Sequence, residues 1–256
     1  MANKGHQNFQ LIGNPHLRFQ EVDSTNNFAN NLASKSNPSE GTAISAAFQT
    51  QGRGQIGRFW ESSLGKNILT SIIFKPSFLP INRQFEFTIF ISVAIWRFIS
   101  SKLKNPEICS IKWPNDIYIG NKKIAGILIQ NALQGNKIKY TIAGVGININ
   151  QIDFSGDIPN PTSLKIECQK EFDVEKSLEE LFLVLDDEYD RFMQNSRIHE
   201  SIYLRNLYRI NQKSKFRIED KIVEGIIRGV NDEGNLMIEH ENGLAKYVFR
   251  QIQYVI

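Results

Sequence analysis

Residues 108–150 place the tightest limit on the fold: ICSIKWPNDIYIGNKKIAGILIQNALQGNKIKYTIAGVGININ is a series of short apolar runs broken only by Pro114-Asn115-Asp116, Gly120-Asn121 and Gly135-Asn136. Breaks this brief, built from Gly, Asn, Asp and Pro, turn the chain back on itself and join antiparallel neighbours. The stretch therefore predicts an antiparallel meander of three or four strands. GTAISAAFQT and KNILTSIIFKP upstream also read as strands, the second stopped by Pro76.

Helical periodicity brackets these strands. Phe85, Ile89, Val93, Trp96, Ile99 and Leu103 recur three or four residues apart, which predicts an amphipathic helix over 82–104. Leu178, Leu181, Phe182, Leu185, Tyr189 and Phe192 do the same over 174–194. A shorter helix is expected near 198–207, and another after Val22, where Ser24 and Thr25 can cap it. After Asn211 come brief strands, with Asn242-Gly243 as a two-residue hairpin signal. The fold class expected is α+β: a mixed, mostly antiparallel sheet with flanking helices over 1–208, then a small β-barrel over 209–256.

Composition narrows the function. With 256 residues, 41% of them hydrophobic, the chain can fill a core. A net charge of +3 with 22% charged residues leaves no basic block of the kind that forms a nucleic-acid-binding arm, and points at most to anionic ligands. The start, MANKGHQNFQL, lacks an apolar signal core, and the greasiest stretch, 87–96, is too short to span a bilayer. A cytoplasmic protein without membrane contact is expected. Two cysteines and four scattered histidines argue against a structural zinc or a disulfide framework.

Gly52, Gly54 and Gly57 in TQGRGQIGRFW have the spacing of a dinucleotide-binding turn. That turn must open a helix and be followed about 20 residues later by an acid for the ribose. Here a strand-like segment follows, and no acid lies near Ser77. A phosphate loop of the G-x-x-x-x-G-K-[ST] type is also missing, because Gly65-Lys66 is followed by Asn67. Two readings of the loop stay open on the residues alone. Arg53 and Arg58 beside exposed backbone N–H groups can wrap an anion, or the loop is a surface connection with solvated arginines.

Further motifs break the tie: Ser24-Thr25-Asn26, the QTQGRG loop, Lys112-Trp113-Pro114-Asn115-Asp116, Lys123-Ile124-Ala125-Gly126-Ile127-Leu128 and Gly144-Val145-Gly146-Ile147-Asn148. In this order and spacing the chain resembles the biotin protein ligases, over roughly residues 20–150 with specific motifs and more loosely beyond. The resemblance implies a class II synthetase-like catalytic domain and an SH3-like terminal barrel. It also implies ATP-dependent formation of biotinyl-adenylate with Mg2+, and transfer of biotin to a lysine of a biotin carboxyl carrier domain. Family members that repress transcription carry an N-terminal helix-turn-helix domain; fewer than 20 residues precede the catalytic start here, so no DNA binding is expected. A homodimer through an exposed edge strand in the 124–150 region is allowed, as in some relatives.

The resemblance also assigns roles. Lys123 touches the biotin carboxylate and the phosphate; its alternative is a turn lysine after Gly120-Asn121. Ser24, Thr25, Asn26 and Gln49 line the biotin head, where a buried ureido group needs paired donors and acceptors; helix capping remains an equal reading for Ser24 and Thr25. Gly52, Arg53 and Gly54 belong to the loop over biotin, and Gly126, Gly144 and Gly146 let backbone approach the ligand. Arg53, Gln55, Arg58, Trp60, Lys112, Asn115 and Asn148 fall on the ATP and adenylate side. Trp60 can equally be core, Asn115 a turn residue and Lys112 a solvated strand end. Asp116 steers magnesium or the incoming lysine amine. Many members have an arginine at the place of Gln55, which brings no charge to the phosphate. The rival readings are a lipoate or octanoate protein ligase or transferase, and a non-catalytic binding module.

Overall fold

The computed structural model describes residues 10–55, 59–155, 160–241 and 243–255. Its centre is a seven-stranded sheet in the order β1-β2-β3-β7-β6-β5-β4. The strands are β1 (His16–Val22), β2 (Ala43–Gln49), β3 (Asn67–Phe74), β4 (Cys109–Lys112), β5 (Asp116–Ile119), β6 (Lys122–Gln134) and β7 (Lys137–Asn148). The meander read from the sequence is β4 to β7, joined antiparallel throughout. Gly120 and Gly135 sit in its two-residue connections at φ +57° and +58°, the left-handed backbone that a tight hairpin requires there. β1 pairs with β2 in parallel, which makes the sheet mixed.

Helices cover both faces. On one face α1 (Thr25–Lys35) buries Ala29 and Ala33 against Ile44, Ile73 and Ile142. The other face packs on α2 (Gln84–Ser100) and α4 (Val174–Gln194), with α3 (Leu164–Cys168) and α5 (Glu200–Arg205) beside them. α4 spans the predicted residues, opened by Asp173, whose carboxylate accepts from Lys176 N at 3.0 Å. Phe74, Phe87, Phe90, Tyr189 and Phe192 form an aromatic cluster between sheet and helices, each contributing roughly 1.5–3 kcal/mol through burial. Glu188, 2% exposed, is tied to Arg97 at 3.2 Å and to His199 at 2.7 Å, so its charge is not left alone in the core.

The last part forms a five-stranded antiparallel sheet in the order β11-β10-β9-β8-β12: β8 (Lys213–Ile218), β9 (Lys221–Val230), β10 (Leu236–His240), β11 (Gly243–Tyr247) and β12 (Gln253–Tyr254). The hairpin expected at Asn242-Gly243 joins β10 to β11: His240 pairs with Gly243, which begins β11 at φ +113°, while Asn242 lies outside the described residues. This sheet shares the main hydrophobic core through Phe216, Ile227, Leu236, Ile238 and Ile252. Trp113 Nε1 donates to Gly234 O at 2.9 Å, and Tyr203 Oη to Pro114 O at 2.9 Å, which fixes the Lys112–Asp116 corner between α5 and the second sheet.

Candidate active site

A cavity of about 640 Å³ opens beside the N-terminus of α1, on the sheet face that α1 partly covers. Its floor is where β6 and β7 lose their side chains. Gly126 and Gly146 are cross-strand partners, and the Trp60 indole lies across both. A Cβ on Gly146 would sit 2.4 Å from Trp60 Cε2, and one on Gly126 2.8 Å from Cζ3. Two positions along β7, a Cβ on Gly144 would fall 2.0 Å from Asn26 Oδ1. The space freed by these glycines is thus filled by Trp60 and Asn26, which themselves line the cavity.

The head of α1 supplies one polar group. Ser24 occupies the N-cap position with extended backbone, yet its hydroxyl makes no capping hydrogen bond. Thr25 N and Oγ1 both donate to Gln49 Oε1, at 2.8 and 3.0 Å. Ser71 of β3, fully buried, lies 2.8 Å from Thr25 Oγ1 and donates to Asn26 Oδ1 at 2.5 Å. Asn26 Nδ2 donates in turn to Gln130 Oε1 at 3.3 Å, which also accepts from Asn30 Nδ2 at 2.8 Å.

The second polar group gathers at the far ends of β4 to β7. Lys123 Nζ stands 2.6 Å from Asp116 Oδ1 and 5.7 Å from the Trp60 ring centre. Lys123 is paired with Tyr118 of β5, next to a bulge in the β5–β6 ladder that skips Ile124. Its backbone groups also bond the segment after 159: Lys123 N donates to Asn160 O at 2.7 Å and Thr162 N to Lys123 O at 2.9 Å. Lys112 Nζ donates to Tyr118 Oη at 2.9 Å and sits over the rings of Tyr118 and Tyr254. Asn148 Nδ2 donates to Thr162 O at 2.9 Å, leaving its buried Oδ1 without a partner; the buried Trp60 Nε1 also lacks one. Unsatisfied buried donors and acceptors are costly and uncommon, and both residues line the cavity.

The glycine loop closes as a small bridge rather than a dinucleotide turn. Trp60 N donates to Gly52 O at 2.9 Å, Arg53 pairs with Phe59, and the next regular element is β3. Ser24, Thr25, Asn26, Gln49, Arg53, Gly54, Gln55, Trp60, Lys112, Asp116, Lys123, Gly126, Gly144, Gly146 and Asn148 all line the cavity. Gly52 and Asn115 stand just behind it. A Cβ on Gly52 would meet Trp60 O at 2.3 Å, and Asn115 Oδ1 accepts from Gln55 Nε2 at 2.8 Å while its Nδ2 donates to Ile127 O. Arg58 lies outside the described residues. The motifs did not point to Glu61, Tyr118, Phe154 or Pro161, which also line it, and Leu128 was quoted in a motif without a role. Tyr118 and Leu128 were within reach, since they lie two residues beyond Asp116 and Gly126 and so on the same strand face.

Among the described lining residues are three cations, Arg53, Lys112 and Lys123, against two carboxylates, Glu61 and Asp116. This balance suits an anionic ligand. No group of three or more His, Cys, Asp or Glu able to hold a metal occurs among the described residues, and none of their helices is long and apolar enough to cross a membrane.

Residues 18–148 match the model of the biotin/lipoate A/B protein ligase family, and 210–256 that of the biotin protein ligase C-terminal domain. The chain is 31% identical to the bifunctional ligase/repressor BirA of Bacillus spizizenii, over 93% of its own length and 74% of that protein. It is 24% identical to the biotin–[acetyl-CoA-carboxylase] ligase of Paracoccus denitrificans, over 87% and 93%. The fold is similar to that of biotin protein ligase from Aquifex aeolicus in complex with biotin and ATP, with a TM-score of 0.76, 24% identity, and 93% of this chain and 97% of that one covered. The family match over more than half its length and the BirA relationship together show that the chain belongs to the biotin/lipoate A/B protein ligase family.

Proposed function

We propose that this chain is an ATP-dependent biotin protein ligase that makes biotinyl-5′-AMP and transfers the biotinyl group to a lysine of a biotin carboxyl carrier domain. The observation that carries the reading is the pairing of two unlike polar groups in one cavity. The Thr25, Asn26 and Gln49 set can match a cyclic urea, and the Lys123–Asp116 pair can manage an anion. The residues from Gly144 to Asn148 separate them by about 13 Å of strand.

In the first step a biotin carboxylate oxygen attacks the α-phosphorus and pyrophosphate leaves. Two anions must meet, so cations placed in advance lower the barrier. Lys123, steadied by Asp116, serves the carboxylate and the phosphate, while Arg53 and Lys112 add charge along the cavity. In the second step a lysine amine attacks the acyl carbon, AMP departs and the amine loses a proton; Asp116 is the carboxylate placed to receive or orient that amine. Magnesium is proposed to accompany ATP, where it would neutralise phosphate charge. Asp116 and the unpartnered Asn148 Oδ1 are oxygen atoms among the described lining residues that would hold it, and hard cations bound with phosphates take few protein ligands.

The finer assignments rest on the same reading. They are a catalytic unit over 1–208, a terminal SH3-like barrel over 209–256, a cytoplasmic location and a homodimer. The outer edge of β6 beyond Ile127, where β5 has ended, offers the pairing strand. ATP-dependent labelling of a purified biotinyl acceptor domain, with biotin in one tube and lipoate or octanoate in another, tests the function. Labelling by biotin alone supports it; labelling by a lipoyl or fatty acid moves the chain to the other branch of its family.

A further inference from the structure

Resting on that reading, we infer that Tyr254, on the last strand of the second sheet, is a positioning residue for the nucleotide. Its ring face, together with Tyr118, holds the Lys112 ammonium in place for the triphosphate, so that affinity for ATP depends on an aromatic ring the second sheet supplies.

Lys112 and Asp116 are the closing pair of the β4–β5 ladder, and both line the cavity. Lys112 Nζ lies 4.5 Å from the centre of the Tyr118 ring and 5.0 Å from that of Tyr254, inside the roughly 6 Å over which a ring face attracts a cation. A lysine stem is long and freely rotating, and ordering it only when a ligand arrives weakens binding. Rings and a phenol oxygen order it in advance and bring no formal negative charge, so the ammonium keeps its full charge for a phosphate. Burial pushes the Tyr254 phenol up from its usual range, which keeps that ring neutral.

Tyr254 is itself firmly seated. It pairs with Phe216 of β8, with the two rings edge to face at 5.4 Å, and the next residue is held on both sides: Val255 N donates to Lys215 O and Arg209 Nη1 to Val255 O, each at 3.0 Å. Its buried hydroxyl has no hydrogen-bond partner among the described residues. A buried phenol oxygen in that state gains nothing for the fold, so what Tyr254 contributes is its ring. Tyr254 is not among the described residues lining the cavity. Its effect on a ligand therefore passes through the side chains in front of it, of which Lys112 carries the charge.

The test reads the KM for ATP in biotin-dependent pyrophosphate exchange by the full chain, beside calorimetric biotin binding. The proteins are wild type, Tyr254→Leu, Tyr254→Phe, Lys112→Ala and the variant carrying both Tyr254→Leu and Lys112→Ala. Tyr254→Leu is expected to raise the KM for ATP roughly three- to tenfold with biotin affinity unchanged, and Tyr254→Phe, which retains the ring, to stay near wild type. In the Lys112→Ala background Tyr254→Leu should add nothing further. An unchanged KM in Tyr254→Leu or in Lys112→Ala, losses that multiply in the double variant, or a loss in Tyr254→Phe equal to that in Tyr254→Leu would overturn the inference. Should Tyr254→Leu fold poorly by its melting curve, pentafluorophenylalanine at position 254 decides the matter, because it keeps the ring's shape and reverses the polarity of its face: a raised KM supports the role and a wild-type value refutes it. Absence of biotin-dependent exchange in wild type would instead remove the ligase reading, so the two failures are distinct.

Discussion

Gly146→Ala subjects the cavity floor to a one-carbon perturbation. The new methyl would stand 2.4 Å from Trp60 Cε2, 2.7 Å from Nε1 and 2.8 Å from Cζ2. Carbon atoms in contact prefer about 3.5–4.0 Å, so the indole must retreat by roughly 1 Å. The rigid ring lies across both Gly126 and Gly146, so its retreat carries it toward the cavity that it lines. The backbone raises no objection, because Gly146 lies within β7 and outside the left-handed region, and alanine is no worse than glycine in a strand. Stability should therefore stay within about 1 kcal/mol of wild type, while a displacement of this size in a reacting site costs about 10²-fold in rate. Biotin-dependent exchange of pyrophosphate into ATP measures it as kcat/KM, beside a thermal melt. Gly126→Ala should lose less, since its nearest conflict is 2.8 Å, at Cζ3. A Gly146→Ala enzyme with wild-type exchange, or one less impaired than Gly126→Ala, would refute the argument that Trp60 is seated by the missing side chains.

Lys123→Ala should remove first-step activity by about 10²-fold or more if the ammonium stabilises charge in the transition state; near-normal biotin-dependent pyrophosphate release would remove Lys123 from that role. Gln55→Arg should slow the departure of biotinyl-adenylate from the isolated complex, because a guanidinium binds phosphate more strongly than an amide; an unchanged off-rate would count against it. His16 is held near a pKa of about 4, against 6.5, by burial and by Arg18, whose Nε donates to His16 Nδ1 at 3.0 Å. The folded state then binds fewer protons than the unfolded chain between those values, so this contribution is lost as pH falls from 6.5 toward 4. His16→Gln should make the fall in melting temperature across that window shallower, and an equally steep fall would show that His16 is not its source.

Legibility varied with the kind of interaction involved. α4 was readable to the residue, because six apolar positions hold one helical face and Asp173 marks its start. β1 was not, since HLRFQEV has no continuous apolar run, is at most half-buried and gains its place by parallel pairing with a strand 27 residues on. α3, five residues long, is too short to show a period. In the site, Lys123, Asp116 and the glycines stood out through motif spacing. Ser71 and Gln130 did not, because their contacts depend on which strands become neighbours: Ser71 meets Asn26 across Gly144, and Gln130 reaches α1 from a strand a hundred residues later.

The tie between the two sheets sets an order on the completion of the cavity wall. Lys112 stands over the ring of Tyr254, and Tyr254 reaches that place by pairing with Phe216 on β8. During synthesis, a ribosome-tethered chain that has made Lys123, Asp116 and the whole first sheet still has an unfinished wall beside Lys112 until residue 254 leaves the exit tunnel. The surroundings of Lys112 are thus completed only when the last strand of the second sheet has been made.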